Sequence, residues 1–144
     1  MGVEHLLRTM LTVKASVKPS KIQGLGLFAD EKIPKGTVVW KFDSRFDIYF
    51  DLEEVDKMSE QQKYFLNRYA PISTNTGKYI LSVDDSRFTN HSSLHSNTDT
   101  IDSPGEPEKI AIANKDIEKG EEILMNYHDF DENSQNSGEE YLKS

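Results

Sequence analysis

The chain of 144 residues is long enough for one compact domain with a modest core. Its 17 Lys and Arg against 25 Asp and Glu give a net charge of −8, which argues against nucleic-acid binding and favours a cationic partner. The absence of cysteine excludes disulfides and cysteine-based zinc sites. The same acidic charge also keeps many proteins soluble without any partner.

The first part of the chain predicts an extension and then a strand. Residues 1–9 show no strand pattern and are expected to form an N-terminal extension without the long apolar core of a signal peptide. Over residues 11–17, apolar and polar side chains alternate with the period of a half-buried strand. No apolar run reaches the length of a membrane span, so we expect no membrane association and an intracellular, cytoplasmic protein.

A glycine turn follows at Gly24, Leu25 and Gly26 and leads into a second short apolar strand. Such a turn has two explanations. The glycines either form a tight turn where a side chain would clash, or they let the backbone approach a ligand closely.

A short phrase occurs twice in the chain. Residues 113–123 repeat residues 29–39 at four positions, which pair Ala29 with Ala113, Ile33 with Ile117, Lys35 with Lys119, and Gly36 with Gly120. This stretch is too short for a solenoid repeat. It predicts two similar units of strand, hook and strand, related by internal pseudosymmetry.

Two capping boxes predict the helical part of the chain. Asp51 with Glu54 opens a short helix, and Ser59 with Gln62 opens a longer one that ends near Tyr69. We therefore expect one helical insert between the two repeated units.

The polar and aromatic stretch of residues 87–93 follows a predicted strand over residues 79–83. Within it, Asn90 offers amide donors and an acceptor, and His91 offers an imidazole that donates from one nitrogen and accepts at the other. Such a pair suits an adenine ring and its ribose. Asn, His and Ser are also common in ordinary turns, which is the alternative.

The rest of the chain predicts a loop, the last strands and a tail. Residues 94–109 are polar and contain Pro and Gly, which is typical of a surface loop. The Ile-rich segments of residues 110–125 supply the last strands, and Tyr127 ends them. Residues 131–144 are acidic and low in hydrophobicity, so we expect a disordered tail.

Taken in order, these motifs resemble the SET-domain family of protein lysine methyltransferases. The resemblance spans roughly residues 13–127 and is carried by the glycine turn, the Asn90 and His91 pair, Gly120-Glu121-Glu122, and Tyr127. Ser93 stands where the family usually has Cys, and Asn126 where it usually has Asp. The resemblance implies a mostly β fold with a short helical insert: a SET-domain β-clip of small curved sheets with a C-terminal pseudoknot, over residues 10–130.

The resemblance also implies a reaction and a site. The cofactor would be S-adenosyl-L-methionine, the acceptor a lysine side chain of a basic protein, and no metal would be needed. Tyr127 takes the position of the catalytic tyrosine. The implied cofactor-binding residues are Gly24, Leu25, Gly26, Leu27, Asn90, His91 and Tyr127, and the implied substrate channel contains Phe88, Met125 and Phe130.

Met125 stands where family members carry a Phe or Tyr that influences how many methyl groups fit. A thioether cannot hold a water or an amine by a strong hydrogen bond. We therefore expect a product that is not restricted to monomethyl-lysine. The alternative function is a noncatalytic SET-like β-clip module that binds a basic peptide or protein.

Overall fold

The structure is a computed structural model that describes residues 10–132. The predicted N-terminal extension and the tail beyond residue 132 lie outside the described residues. In the part that is described, no helix is both long and apolar enough to cross a membrane.

Short strands dominate the fold of residues 10–132. In chain order they are β1 (Met10–Leu11), β2 (Ala15–Pro19), β3 (Leu25–Ala29), β4 (Val38–Lys41), β5 (Asp47–Phe50), β6 (Tyr79–Ser82), β7 (Asn90–His91), β8 (Thr98–Ile101), β9 (Ile110–Ala113) and β10 (Leu124–Met125). The helices are α1 (Leu52–Asp56) and α2 (Glu60–Tyr69), and single 3₁₀ turns lie at Asp85–Phe88 and Tyr127–Asp129. This confirms the predicted mostly β fold with a short helical insert.

The strands form several small sheets. One has four strands in the order β1-β4-β9-β8, and three have two strands each, β2-β3, β5-β6 and β10-β7. All of these pairings are antiparallel except that of β10 with β7. The parallel pairing sets Leu124 opposite Asn90 and Met125 opposite His91. The last strand therefore lies directly beside the polar stretch of residues 87–93.

The repeated phrase of the sequence is a structural repeat. Ile33 and Ile117 lie opposite each other, and each N–H donates to the other's carbonyl at 2.8 Å. The hook glycines, Gly36 and Gly120, each donate an N–H to the alanine that opens the other unit, also at 2.8 Å. Their φ angles are 89° and 90°, a conformation that glycine adopts at little cost. The predicted pseudosymmetry is therefore present.

One buried cluster joins the two units. Its members are equivalent residues of the two units, paired as Leu27 with Ala111, Ala29 with Ala113, Ile33 with Ile117, and Val39 with Ile123. Each of these residues is at most 1% exposed. Because every pair takes one residue from each unit, neither unit holds more than half of this core.

The repeat continues into the turn that follows each unit. The Asp47 N–H donates to the Asp43 carbonyl, and the Asp131 N–H donates to the Tyr127 carbonyl, both at 2.8 Å. Tyr127 is therefore the structural counterpart of Asp43. The sequence repeat ends at residues 39 and 123, so the sequence alone did not predict the equivalence of these turns.

The helical insert forms where the capping boxes placed it. Both capping boxes are present, and α2 ends at Tyr69 as predicted. Leu66 of α2 is 3% exposed and belongs to a second buried cluster with Val55, Ala70 and Tyr79. This second core holds the helices against β6.

Two predicted elements differ in the structure. The single strand predicted over residues 11–17 is split into β1 and β2, because Thr12 bonds to β4 before the chain turns to pair with β3. The prediction of a surface loop over all of residues 94–109 is wrong for β8, which is the edge strand beside β9. Its sequence, Thr-Asp-Thr-Ile, carries too few apolar residues to show a strand pattern.

Candidate active site

Two neighbouring cavities lie where β7, β10 and α2 meet. The first, about 300 Å³ in volume, is bordered by residues 23–25 and is here called the glycine-turn cavity. The second, about 210 Å³, extends from Tyr127 to Trp40 and Thr100 of the four-stranded sheet and is here called the sheet cavity. The fold thus provides two adjacent cavities that differ in volume and in the elements that border them.

The cavities meet at a shared wall. The residues that line both are Asn67, Arg68, Tyr69, Arg87, Thr89 and Tyr127. A molecule in one cavity and a molecule in the other would therefore contact the same few side chains. This arrangement is suited to a reaction between two bound partners.

Tyr127 is held at this shared wall from several sides. Its N–H donates to His91 Nδ1 at 3.0 Å, and its hydroxyl donates to the Thr89 carbonyl. Its ring centroid lies 5.3 Å from that of His91 and 5.7 Å from that of Phe130. Because these contacts hold the backbone, the ring and the hydroxyl of Tyr127, the phenol oxygen has a defined position between the cavities.

His91 supports Tyr127 from behind. Its side chain is fully buried and lines neither cavity. Nδ1 accepts a hydrogen bond from Tyr127, so that nitrogen carries no proton. The structure therefore gives the imidazole a positioning role, and the contact of His91 with a cofactor stays a prediction.

Asn90 lines the glycine-turn cavity, but its amide is engaged within the protein. The two N–H groups of Nδ2 are shared among three acceptors, the Gln23 carbonyl at 3.1 Å, the Leu25 carbonyl at 3.0 Å and Glu122 Oε2 at 2.9 Å. These bonds tie the glycine turn to the segment that leads into β10. Asn90 thus shapes the cavity wall through its donors.

Gly26 makes room for a carboxylate. A Cβ atom built on Gly26 would lie 2.3 Å from Glu122 Oε2, far below contact distance. Glu122 is fixed there because Ser20 Oγ donates to its two oxygens at 2.8 and 2.9 Å. Of the two explanations for this turn, close approach applies at Gly26, and the group that approaches is Glu122.

The other residues of the turn differ from Gly26. Gly24 has a φ of +47° and open space around its Cβ position, and it lines the glycine-turn cavity together with Leu25. Gly26 and Leu27 line neither cavity, and Leu27 is a core residue. The structure therefore brings Gly24, Leu25, Asn90 and Tyr127 together around one space, and it places Gly26 and Leu27 behind that space.

The three predicted channel residues divide between the cavities. Met125 and Phe130 line the sheet cavity. Phe88 lines the glycine-turn cavity instead, where its ring meets the Tyr69 ring edge-on at 5.9 Å.

Arg87 contributes a buried donor that the sequence did not reveal. Its Nε has no hydrogen-bond partner, although the guanidinium stacks over the Phe88 ring at 4.7 Å. An unsatisfied guanidinium N–H is a strong donor for a carboxylate. Arg87 lies on the shared wall, so it could hold an anionic group there. Within residues 10–132, no group of three or more acidic or histidine side chains is placed to hold a metal ion.

The family model of the SET domain matches residues 24–128 of this chain. The chain belongs to the SET-domain family. The matched stretch contains every predicted site residue except Phe130. The family and the fold predicted from the sequence are thereby confirmed.

A comparison of structures supports the same SET fold. The chain resembles a Plasmodium falciparum crystal structure described as a "putative histone methyltransferase", with a TM-score of 0.54 and 20% sequence identity. The similarity covers 78% of this chain and 91% of the other. No curated protein matches the sequence.

Proposed function

We propose that this SET-domain protein transfers a methyl group from S-adenosyl-L-methionine to the side-chain amine of a protein lysine. The observation that carries the proposal is the wall between the two cavities, where Thr89 and Tyr127 contact both spaces. An in-line displacement depends on holding donor and acceptor at near-contact distance with aligned geometry. Two cavities that meet at a fixed phenol meet this requirement.

The glycine-turn cavity suits the cofactor. Its wall combines the backbone of residues 23–25, the Phe88 ring and the guanidinium of Arg87. The positively charged guanidinium of Arg87 would attract the carboxylate of the methionine part. When bound, S-adenosyl-L-methionine supplies an electrophilic methyl group on a positively charged sulfur.

The sheet cavity would receive the lysine. A bond forms from its amine nitrogen to the methyl carbon while the carbon–sulfur bond breaks, and the amine must be neutral to attack. Holding a lysine with a pKa of about 10.4 neutral near pH 7.4 costs roughly 4 kcal/mol. The apolar side chains of Met125 and Phe130 and the guanidinium of Arg87 would all lower that cost.

Tyr127 would orient the amine. Its hydroxyl hydrogen is already donated to the Thr89 carbonyl, so the phenol oxygen can accept a hydrogen bond from the incoming amine. The Met125 thioether cannot hold a water or an amine by a strong hydrogen bond as the phenol can. We therefore still predict a product that is not restricted to monomethyl-lysine.

The test replaces Tyr127 by Phe. We expect methyl transfer to whole-lysate proteins from labelled cofactor to fall by roughly 10²-fold or more, because one positioned polar contact to the reacting atoms is lost. Calorimetric titration should show that cofactor binding survives. The control is Tyr79→Phe. Tyr79 lines neither cavity, although its hydroxyl donates to Asn67 of the shared wall, and the variant keeps the Tyr127 phenol, so it should retain activity.

The second candidate is a noncatalytic module that binds a basic peptide or protein. It is favoured by the internal engagement of the Asn90 and His91 side chains, which hold the protein's own backbone. A module of this kind would be indifferent to Tyr127→Phe. Absence of labelled product from the wild-type protein, with retained binding of a basic protein, would favour it over the enzyme.

A further inference from the structure

A buried carboxylate lies in the wall of the sheet cavity. Glu108 is 4% exposed and precedes β9. Its Oε2 accepts from the Tyr49 hydroxyl at 2.6 Å and from Thr76 Oγ1 at 3.1 Å, and its Oε1 accepts from Ser73 Oγ. Three neutral hydroxyls therefore surround this carboxylate.

In the described part of the chain, no Lys, Arg or His forms an ion pair with Glu108. The neighbouring Lys109 pairs with Asp102 at 3.1 Å instead. Removing a carboxylate from water is costly unless a counter-charge accompanies it, and hydroxyl donors offset only part of that cost. A cationic group in the cavity would supply the missing charge.

The hydroxyl cage preserves the carboxylate as an acceptor. Burial, together with the hydrogen bond to Glu108, raises the pKa of Tyr49 well above its usual range. Tyr49 therefore stays protonated and keeps donating to Glu108. The free lone pairs of Glu108 are left for a group inside the cavity.

We infer that the sheet cavity binds a second basic side chain of the substrate, an arginine or lysine close in sequence to the methylated lysine. The cation pairs with Glu108, which lines this cavity. The assignment of the methylated lysine to the same cavity rests on the proposed function. The cation site itself rests on Glu108 and its surroundings.

A purely structural role for Glu108 makes a different prediction. The carboxylate also ties the loop of residues 73–76 to β5 through Ser73, Thr76 and Tyr49. If that were its only role, the charge of a molecule entering the cavity would not matter. A test must therefore vary the charge of the ligand at constant shape.

Trp40 allows the test without any methyl transfer. It is the single tryptophan of the chain and lines the sheet cavity, so tryptophan fluorescence reports occupancy of that cavity. The probes are Nα-acetyl-arginine amide and the neutral, nearly isosteric Nα-acetyl-citrulline amide. We expect a saturable fluorescence change with the arginine probe. The apparent affinity for the citrulline probe should be about 10-fold lower or weaker still, because a charge-assisted hydrogen bond is lost.

Two variants then test whether Glu108 causes the preference for the arginine probe. Glu108→Gln keeps the size and an acceptor, and we expect it to bind both probes equally. Tyr49→Phe removes one hydroxyl of the cage but keeps the charge, so it should still prefer arginine. Thermal unfolding of each variant identifies any loss of fold.

The wild-type comparison decides the matter even if a variant does not fold. An equal response to both probes, or no response to the arginine probe, would overturn the inference. So would a folded Glu108→Gln variant that still prefers arginine. Because the titration needs neither cofactor nor turnover, its outcome is independent of whether the protein proves to be a methyltransferase.

Discussion

The two repeated units share a frame but differ at its borders. Residues 27–39 and 111–123 supply equivalent core residues and equivalent hooks. The second unit carries Glu122 and is followed by Tyr127, whereas the equivalent positions in and after the first unit are Val38 and Asp43. The comparison teaches that the symmetric part provides the packing and that the positions where the units differ contribute Glu122 and Tyr127 to the candidate site.

The difference is clearest at Glu122. In the first unit, Val38 pairs with Ile112 inside the four-stranded sheet. In the second unit, Glu122 bridges to Phe28 in the equivalent way, but its carboxylate reaches Ser20 and Asn90. One backbone arrangement thus carries an apolar side chain in one unit and a polar tie to the cavity wall in the other.

The largest expected effect tests the symmetric part. Ile33→Ala and Ile117→Ala each remove a side chain that is at most 1% exposed, so each should lower the free energy of unfolding by about 2–5 kcal/mol. Because the two residues occupy equivalent places in one cluster, the two losses should be similar. Urea unfolding of both variants measures them. A much smaller loss for one would show that the units do not share the core equally.

The second prediction concerns the turns that follow the units. Burial is the main cause that raises the pKa of Asp47 from 3.8 to about 6. Between these values the folded state holds a proton that the unfolded state has released, so the free energy of unfolding falls as pH rises from about 4 to about 6. The full difference is about 3 kcal/mol above that window.

Asp47→Asn should remove this part of the pH dependence and stabilise the protein above pH 6. Urea unfolding at several pH values between 4 and 8 measures the change. Asp131→Asn, at the equivalent position of the second unit, is the matched control. If that control flattened the pH profile and Asp47→Asn did not, the assignment to Asp47 would be wrong.

The third and smallest effect tests the contact between Gly26 and Glu122. Gly26→Ala should displace the Glu122 carboxylate and lower the free energy of unfolding by about 1–3 kcal/mol. Adding Glu122→Ala to this variant should cost less than Glu122→Ala costs in the wild type, because in the variant the second substitution also removes the clash with the Cβ atom added at position 26. Gly24→Ala, where the Cβ position is open, should show no such coupling to Glu122. Equal coupling at both glycines would refute the role given to Gly26.

The frame could be predicted because it depends on residue types with strong local requirements. Ile33 and Ile117 are apolar because they meet in the core, and Gly36 and Gly120 are glycine because their φ angles are positive. Because each requirement applies equally to both units, the two units carry the same residue type at these positions, and the repeat is visible in the sequence. The capping boxes of the helices are local in the same way.

The site could be predicted only in part. The order of motifs indicated that Gly24, Asn90 and Tyr127 converge, and all three line one cavity. The close approach of Glu122 to Gly26 and the burial of His91 depend on partners distant in the sequence, which no local pattern encodes.

The shared core also determines when the protein can fold. During synthesis on the ribosome, the first unit emerges while the four buried core residues that the second unit contributes are still to be translated. Pairing between segments so far apart must also overcome the entropy of closing a long loop. The nascent amino-terminal half therefore lacks half of the fully buried residues of this core, and the core can be completed only after the second unit has left the exit tunnel.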